Sequence, residues 1–371
     1  MKIKTLFVLF TIGYALWSFN NKILLADNNS NKTTYKEAMF YAKLDKKRVM
    51  CELCPRYCVI EQGKRGFCRN RENRDGTFYS IVYNQPCSIG VEPIEKAPFY
   101  HFLPGEMRLT LATASCNQRC KYCQNWELSQ KSVEELQNYY KTPEDIIEIA
   151  QKESLKIICF TYTEPMVFYE YMYDIAVLAK KVGIKTAVVT GGFVNTEPLE
   201  SLCKVVDAIK IDLKGFDETF YQDVCGSELA PVLEACKTVK KSGVHLELVN
   251  LVVSTLNDDT NKIKAMSLWI KENLGTDIPV HFSRFFPQYK LQNLPPTPIS
   301  TLEKAVMIAQ NQGLKYVYIG NVPGHNSDNT FCPNCHKLLI KRQGYSIIEN
   351  NLTGNKCKFC GTKINGVFVA K

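Results

Sequence analysis

Histidine is scarce in this sequence and a strong net charge is lacking, and no sequence repeat is found from residue 108 onward. Its 371 residues include only five histidines, so few imidazoles are available as metal ligands. The 46 basic and 37 acidic side chains leave a net charge of +9, which is weak support for a nucleic-acid partner, and we do not expect one. Hydrophobic residues make up 45 %, as in ordinary globular proteins. This composition excludes a disordered, collagen-like, coiled-coil or many-pass membrane chain.

Cysteine, by contrast, is abundant, with 16 copies. A disulfide scaffold would spread its cysteines through a short secreted chain, whereas closely spaced pairs converge on a metal more readily than on each other. Most of these cysteines form three tight groups: Cys51, Cys54, Cys58 and Cys68; Cys116, Cys120 and Cys123; and Cys332, Cys335, Cys357 and Cys360. We interpret these groups as ligands of metals or iron–sulfur clusters. The isolated ones are predicted to be packing residues: Cys87, Cys159, Cys203, Cys225 and Cys236.

Residues 1–32 differ from the rest of the chain. Lys2 and Lys4 precede an apolar run over 6–19, which is short for a membrane-spanning helix and typical of the core of a signal peptide. The cleavage signal is poor, and this segment has no twin-arginine pair, the signal for exporting a folded protein with its cofactor. Two hypotheses stay open: a cytoplasmic protein tethered to the membrane through residues 5–19, and export by a cleaved signal peptide.

From residue 108 onward, short apolar runs alternate with stretches of helical period. Strands are predicted over 109–112, 157–160, 186–189, 208–211, 246–253, 280–282 and 316–319. Helices are predicted over 143–153, 167–181, 197–204, 228–241, 259–273 and 300–312. This βα repeat implies an α/β fold with a parallel sheet, either doubly wound or curled into a partial barrel.

Polar residues follow the ends of these predicted strands. The carboxyl ends of parallel strands meet at one edge of the sheet, where α/β folds carry their chemistry. The residues at or near this edge are Cys116, Cys120, Cys123, Glu164, Thr190, Gly191, Asp212, Lys214, His281 and Arg284. We therefore predict an active site there.

The loop after the first strand reads Cys116-Asn-Gln-Arg-Cys120-Lys-Tyr-Cys123. Three thiolates so close together can bind three corners of a cubane iron–sulfur cluster, which normally takes four protein ligands. The fourth iron would be open to another molecule, as an open zinc site is. The alternative is a zinc ion completed by a distant Cys or His, but the position at a strand end favours the open cluster.

The segments CNQRCKYCQNWELSQ, FTYTEPMVFYEY and AIKIDLKGFDETFY resemble the radical S-adenosylmethionine (SAM) enzymes of the AmmeMemoRadiSam system, which are similar to pyruvate formate-lyase activating enzymes. The likeness runs from about Thr33 to the end of the chain. It implies a partial (β/α)6 TIM-like barrel, with a [4Fe–4S] cluster on Cys116, Cys120 and Cys123 and SAM on the open iron. It also implies reductive cleavage of SAM to a 5′-deoxyadenosyl radical that takes a hydrogen atom from a substrate.

The resemblance further implies the residues that contact SAM, which are Tyr122, Glu164, Thr190, Gly191, Asp212, Lys214, His281 and Arg284. A carboxylate at Glu164 can accept a hydrogen bond from the SAM ammonium group, although Thr-Tyr-Thr-Glu-Pro stands here where the superfamily has Gly-Gly-Glu-Pro. Each position has a structural alternative. Glu164 could be a charge at a helix N-terminus, Asp212 and Lys214 an ion pair, and His281 a packed core residue.

The two outer cysteine groups predict separate metal sites. Cys332, Cys335, Cys357 and Cys360 form two Cys-x2-Cys knuckles with nearly the spacing of a four-cysteine zinc site, and an auxiliary iron–sulfur cluster is the alternative. The first group, which begins at Cys51, suits zinc and an additional [4Fe–4S] cluster equally.

The motifs divide the chain into four predicted regions. These are the apolar segment 1–32, a Cys-rich N-terminal region over 33–105, a radical SAM core over 106–325 and a zinc-ribbon-like C-terminal module over 326–371.

The sequence thus predicts a radical SAM enzyme without reporting its substrate. Glycyl-radical-activase-like action on a protein partner is one hypothesis, and modification of an RNA, a peptide or a small metabolite is another. A non-enzymatic multi-zinc protein that binds nucleic acid is the hypothesis from a different class. Predicted partners are a flavodoxin or ferredoxin electron donor, a protein substrate and, by resemblance, proteins with Memo-like and AMMECR-like domains.

Overall fold

The computed structural model describes residues 35–322 and 324–368. The predicted anchor or signal segment lies outside these residues. Within the described ranges, no helix combines the length and the apolar character needed to cross a membrane.

The Cys-rich N-terminal region consists of short antiparallel strands. They are β1 (Lys36–Glu37), β2 (Tyr41–Lys43), β3 (Val49–Cys51), β4 (Val59–Ile60), β5 (Arg71–Arg74), β6 (Thr77–Ser80) and β7 (Ser88–Pro93). One small sheet has the order β1-β6-β5 and a second has the order β2-β3-β4, while β7 joins the central sheet. The first group of cysteines lies on β3 and on the loops between β3 and β5.

The centre of the protein is an eight-stranded sheet. Its other strands are β8 (Met107–Ala112), β9 (Ile157–Phe160), β10 (Lys185–Thr190), β11 (Ala208–Asp212), β12 (His245–Val252), β13 (Val280–Arg284) and β14 (Val317–Gly320). These pair in chain order and are all parallel, and β7 lies antiparallel to β8 at one edge.

Helices connect the parallel strands. They are α1 (Trp126–Ser129), α2 (Pro143–Lys152), α3 (Tyr169–Lys181), α4 (Thr196–Cys203), α5 (Glu218–Phe220), α6 (Leu229–Ser242), α7 (Thr260–Leu274) and α8 (Ile299–Asn311). The predicted βα repeat is confirmed, because every predicted strand and helix is present with ends within about two residues of the prediction. Closure into a partial barrel stays a prediction, as does the division into four regions.

The helix ends follow signals that the sequence carries. The Thr142 hydroxyl accepts a hydrogen bond from the Asp145 amide at 3.2 Å, and the Asp145 carboxylate accepts one from the Thr142 amide, which forms a capping box at the start of α2. The Asp259 carboxylate caps α7 in a similar way. Gly243 ends α6 in the left-handed conformation, with φ of 79°.

Both faces of the central sheet are buried, as expected for parallel strands. Side chains such as Ile158 and Ile209 belong to the large core that includes the helices. The alternating side chains, such as Ile157 and Ala208, pack against residues 94–103, which we call the floor segment. The floor segment therefore closes one face of the sheet.

The C-terminal module packs against the floor segment. It contains β15 (Thr330–Phe331), β16 (Leu338–Gln343), β17 (Ser346–Asn350), β18 (Leu352–Thr353) and β19 (Lys356–Cys357). The Leu103 amide donates to the Val367 carbonyl at 2.6 Å, and the Val367 amide donates to the His101 carbonyl at 2.7 Å. Arg342 donates to the Tyr100 carbonyl at 2.8 Å and lies over the Tyr100 ring. These contacts join the floor segment to the C-terminal module.

A buried ion pair joins the N-terminal region to the core. Arg71 on β5 donates to the Glu170 carboxylate on α3, and both side chains are 1 % exposed. The Met39 amide also donates to Glu170 at 2.8 Å, and Arg71 donates to the Met39 carbonyl at 3.0 Å. Removing one partner would leave the other charge buried without compensation, which is costly.

We expect Glu170→Gln to lower the free energy of unfolding by about 3–5 kcal/mol, because it leaves the Arg71 guanidinium buried and unpaired. Urea unfolding followed by circular dichroism measures the loss. The matched control is Glu234→Gln, since Glu234 pairs with Lys237 on an exposed helix surface and should cost at most about 1 kcal/mol. Equal effects of the two substitutions would contradict the role of the buried pair.

Candidate active site

The three-cysteine loop follows the carboxyl end of β8 and is held by a neighbouring turn. The turn is a single π-helical segment, Tyr221–Cys225. The Arg119 amide donates to the Cys225 carbonyl at 2.9 Å, and the Lys121 amide donates to the Val224 carbonyl at 2.8 Å. The loop is therefore fixed by backbone contacts with the chain that follows β11.

All three thiols on the loop are free, and each has a different environment. The Gln118 amide donates to Cys116 Sγ at 3.3 Å, and Cys123 Sγ lies 3.1 Å from the Ser129 hydroxyl. Burial, followed by the nearby carboxylate of Glu164, raises the pKa of the Cys116 thiol. A hydrogen bond with Cys225, assisted by the ammonium group of Lys214, lowers the pKa of the Cys120 thiol to about 7.

Glu164 lies beside the loop and is brought together with Thr190 and Gly191. The Thr190 hydroxyl donates to Glu164 Oε1 at 2.6 Å, and the Gly191 amide donates to Oε2 at 2.8 Å. The Met166 amide also donates to Oε1, at 3.2 Å, so Glu164 does cap the short helix that follows it. Burial raises the pKa of Glu164. The structure thus places three of the predicted SAM residues in one hydrogen-bonded group.

Gly191 lies where an added side chain would meet its neighbours. A Cβ atom at this position would lie 2.2 Å from Gln118 Oε1 and 3.3 Å from Glu164 Oε2. The Gln118 side chain, from the three-cysteine loop, is held by a 2.8 Å hydrogen bond to the Ser227 hydroxyl. The backbone at Gly191 thus lies close to two side chains, which is a position that favours glycine.

Asp212 and Lys214 form an ion pair beside the loop. Asp212 Oδ2 lies 3.6 Å from the Lys214 ammonium, and Oδ1 lies 3.3 Å from Lys210. The two lysines hold the pKa of Asp212 below its ordinary value against the effect of burial. The thiol of Cys120 and the carboxylate of Asp212 raise the pKa of Lys214, although burial alone would lower it. A positive charge is thus held next to the thiols.

Tyr122 and Arg284 make contacts that do not reach the Glu164 group. The Tyr122 hydroxyl lies 3.3 Å from Cys225 Sγ, and its buried ring stacks on Phe220. Arg284 Nε donates to the Thr297 carbonyl at 2.8 Å. Their predicted contacts with SAM stay predictions.

The structure does not bring His281 to the edge where the loop lies. His281 is fully buried within β13, three residues before its end, and its Nε2 lies 2.7 Å from Glu247 Oε2. Its ring also packs against Tyr100 and Tyr318. Burial lowers the pKa of His281. This placement fits the structural alternative, a core histidine satisfied by a carboxylate, and it argues against contact with SAM.

A segment between β13 and α8 covers part of the loop. The Tyr289 ring stacks on Trp126 with centroids 5.2 Å apart, and the Lys290 amide donates to the Lys121 carbonyl at 2.9 Å. The segment is therefore fixed against one side of the loop by a ring stack and a backbone hydrogen bond.

The C-terminal thiols lie much closer together than those of the loop. The Sγ atoms of Cys332, Cys335, Cys357 and Cys360 are all within 4.8 Å of one another. Among the described residues, neither the three thiols of the loop nor any three of the first group reach that proximity. A single tetrahedral ion with Zn–S bonds of about 2.3 Å needs sulfurs about 3.8 Å apart. The C-terminal group has this compactness, with sulfur–sulfur distances of 3.6 and 3.7 Å for two of its pairs.

Sequence reasoning missed several residues that build the site. Gln118 and Ser227 set the position of the loop against Gly191, and Cys225, predicted to be a packing residue, contacts both Cys120 and Tyr122. The only signal for Gln118 was its place between two predicted ligands. Cys225 and Ser227 lie a hundred residues away in the chain, so only the fold brings them to the loop.

A comparison with known protein families identifies the same region of the chain as the site. The sequence profile of the radical SAM superfamily matches residues 110–264, which include the three-cysteine loop, the Glu164 group and the Asp212–Lys214 pair. The chain belongs to the radical SAM superfamily. It is therefore an enzyme, and the hypothesis of a non-enzymatic multi-zinc protein is set aside.

Relatives of this radical SAM enzyme match different shares of its length. Protein MJ0808 of Methanocaldococcus jannaschii, of uncharacterised function, is 47 % identical over 89 % of this chain and 99 % of its own length. The pyruvate formate-lyase-activating enzyme of Clostridium pasteurianum is 26 % identical over 52 % of this chain and 84 % of its own. A crystal structure of a domain of such an enzyme from Bacteroides vulgatus is 20 % identical, covers 44 % of this chain and 98 % of its own, and has a TM-score of 0.40.

The residues present fit the cofactors of this superfamily. Three free thiols spread too widely for one ion are a donor set for an iron–sulfur cluster. The Glu164 carboxylate accepts three hydrogen bonds, and a carboxylate has about four acceptor positions. One position therefore remains for a donor such as an ammonium group.

We expect Gly191→Ala to weaken SAM binding by about tenfold or more, because the added methyl group clashes with Gln118 and overpacking of this kind costs about 1–3 kcal/mol. Isothermal titration of the anaerobically reconstituted protein measures the dissociation constant. The double variant Gly191→Ala with Gln118→Ala removes the clash and should recover part of the affinity, with Gln118→Ala alone as its reference. Unchanged binding in Gly191→Ala would show that this close approach is unimportant.

Proposed function

We propose that this enzyme cleaves SAM reductively and uses the resulting radical to abstract a hydrogen atom from a protein partner, as a glycyl-radical activase does. The observation that carries the proposal is the convergence of three free thiols with the Glu164, Thr190 and Gly191 group at the carboxyl edge of a parallel sheet. The relatedness to a pyruvate formate-lyase-activating enzyme supports a protein substrate.

In the proposed reaction, the cluster would supply the electron and the chain's own residues would position SAM. A [4Fe–4S] cluster held by Cys116, Cys120 and Cys123 supplies, when reduced, the electron that splits SAM into methionine and a 5′-deoxyadenosyl radical. The chain's own residues would bind and orient SAM and shield the radical formed from it. Glu164 would accept a hydrogen bond from the SAM ammonium group, while Thr190 and Gly191 hold its carboxylate in place.

The positive charge beside the three-cysteine loop also suits the binding of a cluster by thiolates. Lys214 keeps a positive charge near Cys120, and such a charge stabilises thiolate ligands. Asp212 holds Lys214 in position through their ion pair. The stacked rings of Trp126 and Tyr289 would shield one side of the loop, and shielding from water protects a reactive radical from side reactions.

The other proposed partners follow from the reaction and from resemblance. The cluster needs a one-electron donor, and a flavodoxin or ferredoxin would complement the net charge of +9. Proteins with Memo-like and AMMECR-like domains are proposed by resemblance alone. Modification of an RNA, a peptide or a small metabolite stays the alternative to a protein substrate.

We further propose that the C-terminal thiols bind one zinc ion. Their compact arrangement supports a single tetrahedral ion. The β15-β16-β17 sheet and the β18-β19 pair surround the site, and the module also holds the floor segment. Zinc here would therefore stabilise the end of the protein that lies away from the three-cysteine loop.

Cys120→Ala should abolish formation of 5′-deoxyadenosine, because it removes one of the three ligands that hold the cluster. The reconstituted protein is reduced with dithionite, SAM is added under anaerobic conditions, and 5′-deoxyadenosine is measured by mass spectrometry. Cys203→Ala, at a buried cysteine on α4 distant in sequence from the loop, is the matched control and should keep activity. Activity in Cys120→Ala equal to that of the control would refute the proposed role of the loop.

Cys335→Ala should reduce bound zinc from about one ion per chain to none and lower the melting temperature, because a structural zinc ion contributes its binding energy to folding. Zinc is measured by inductively coupled plasma mass spectrometry and stability by differential scanning calorimetry. Cys236→Ala, which deletes a buried thiol on α6, controls for the loss of a cysteine and should keep the zinc. A melting temperature no lower than that of this control would contradict a structural zinc site.

A further inference from the structure

The N-terminal region contains a second set of thiols with no assigned partner. Cys51, Cys54, Cys58 and Cys68 are free, and all four line one small cavity. Two tight turns bring them there. The Tyr57 amide donates to the Cys54 carbonyl at 3.2 Å and the Arg69 amide donates to the Gly66 carbonyl at 2.9 Å, while the Cys51 amide donates to the Cys58 carbonyl at 2.9 Å. The fold thus gathers thiols from three separate stretches of chain around one space.

The distances between these sulfurs distinguish the binding site of a cluster from that of a single metal ion. Among the described residues, no three of the four sulfurs lie within 4.8 Å of one another, in contrast to the C-terminal group. A cubane cluster carries its ligands on irons at separate corners, so its cysteine sulfurs lie farther apart than those around one ion. The wider spacing is shared with Cys116, Cys120 and Cys123 on the active-site loop. We therefore infer that Cys51, Cys54, Cys58 and Cys68 bind a second [4Fe–4S] cluster and not a zinc ion.

Hydrogen-bond donors around the cavity fit anionic sulfur. Leu53 and Arg56, each two residues after a cysteine, line the cavity, and on the active-site loop the amide at the equivalent position, that of Gln118, donates to Cys116 Sγ at 3.3 Å. Such bonds stabilise thiolates and the sulfurs of a cluster.

A buried arginine supplies the positive charge. Arg71 lines the cavity, and its Nη1 lies 3.9 Å from Cys51 Sγ. Its Nε atom is buried and has no hydrogen-bond partner among the described residues. Buried donors are rarely left without an acceptor, and a cluster sulfur in the cavity would provide one.

The cavity lies directly against the active-site loop. Asn117, the residue after Cys116, lines it together with Cys54. Arg56 donates to the Asn117 carbonyl at 2.8 Å, and Arg119 donates to the Phe67 carbonyl at 2.8 Å. The two cysteine groups are therefore joined through Asn117 and Arg119 of the loop.

This position gives the second cluster a role as an electron carrier, an extension that rests on the proposed function. It would take one electron from a flavodoxin or ferredoxin, which is thereby oxidised by one electron. It would pass that electron to the cluster on Cys116, Cys120 and Cys123. The full-length enzyme would then hold two clusters and one zinc ion.

Metal content of the loop variant tests the site without requiring SAM cleavage. In the full-length chain, Cys116, Cys120 and Cys123 are replaced together by alanine, and the protein is reconstituted anaerobically with iron and sulfide. We expect about eight irons and eight sulfides per chain in the wild type and about four of each in this variant. After dithionite reduction, the variant should show the electron paramagnetic resonance signal of a cluster that does not change when SAM is added.

The converse variant, Cys54→Ala with Cys58→Ala, should keep about four irons and a signal that does change with SAM. Cys203→Ala is the control and should match the wild type. A loop variant without iron, with either one or two zinc ions per chain, would overturn the second cluster. If the converse variant fails to fold, the loop variant alone decides. Because its iron content does not depend on SAM cleavage, failure of the proposed function and failure of this inference are distinguishable.

Discussion

Burial of both faces of the parallel sheet is the constraint on which the rest of the structure depends. The helices cover one face, and the floor segment covers alternate side chains on the other, among them Ile157 and Ala208. Parallel strands need this double cover because their backbone and apolar side chains cannot face water on either side. The carboxyl edge is what remains for chemistry, and the three-cysteine loop, Glu164 and Asp212 all lie there.

The sequence predicted the framework well because the framework depends on local patterns. Apolar runs and helix-capping residues such as Thr142 and Asp259 are visible in a single sequence, and so is the order of polar residues at strand ends. Glu164, Thr190 and Gly191 could be expected to meet because parallel strands bring their ends together. Their hydrogen bonds in the structure have that simple origin.

The features that the sequence could not supply depend on contacts between distant parts of the chain. His281 follows the rule for a residue near a strand end, yet it lies deeper in the sheet, where Glu247 provides a buried partner. Hydrogen bonds from His245 and His281 hold the pKa of Glu247 well below its ordinary value although burial alone would raise it. The approach of Gln118 to Gly191, and the position of Asn117 at the cavity that Cys54 lines, likewise required the assembled fold.

Cysteine spacing along the chain and cysteine spacing in space carry different information. The first and last groups each offer four thiols at short intervals, and the sequence left zinc and a cluster open for both. In three dimensions the last group is compact and the first is spread. The difference arises because the last group consists of two knuckles that face each other, whereas the first draws its thiols from a strand and two turns around a cavity.

The contacts of the floor segment have a consequence for the order in which the protein is completed during synthesis. The floor segment leaves the ribosome before the strands that it packs against, and synthesis proceeds from the N-terminus. Its partners in the C-terminal module, Arg342 and Val367, are made only after all eight strands of the central sheet. The floor segment therefore gains this support only after the whole central sheet has been made, so a nascent chain can hold the thiols of the first group and of the active-site loop before the fold that encloses them is complete.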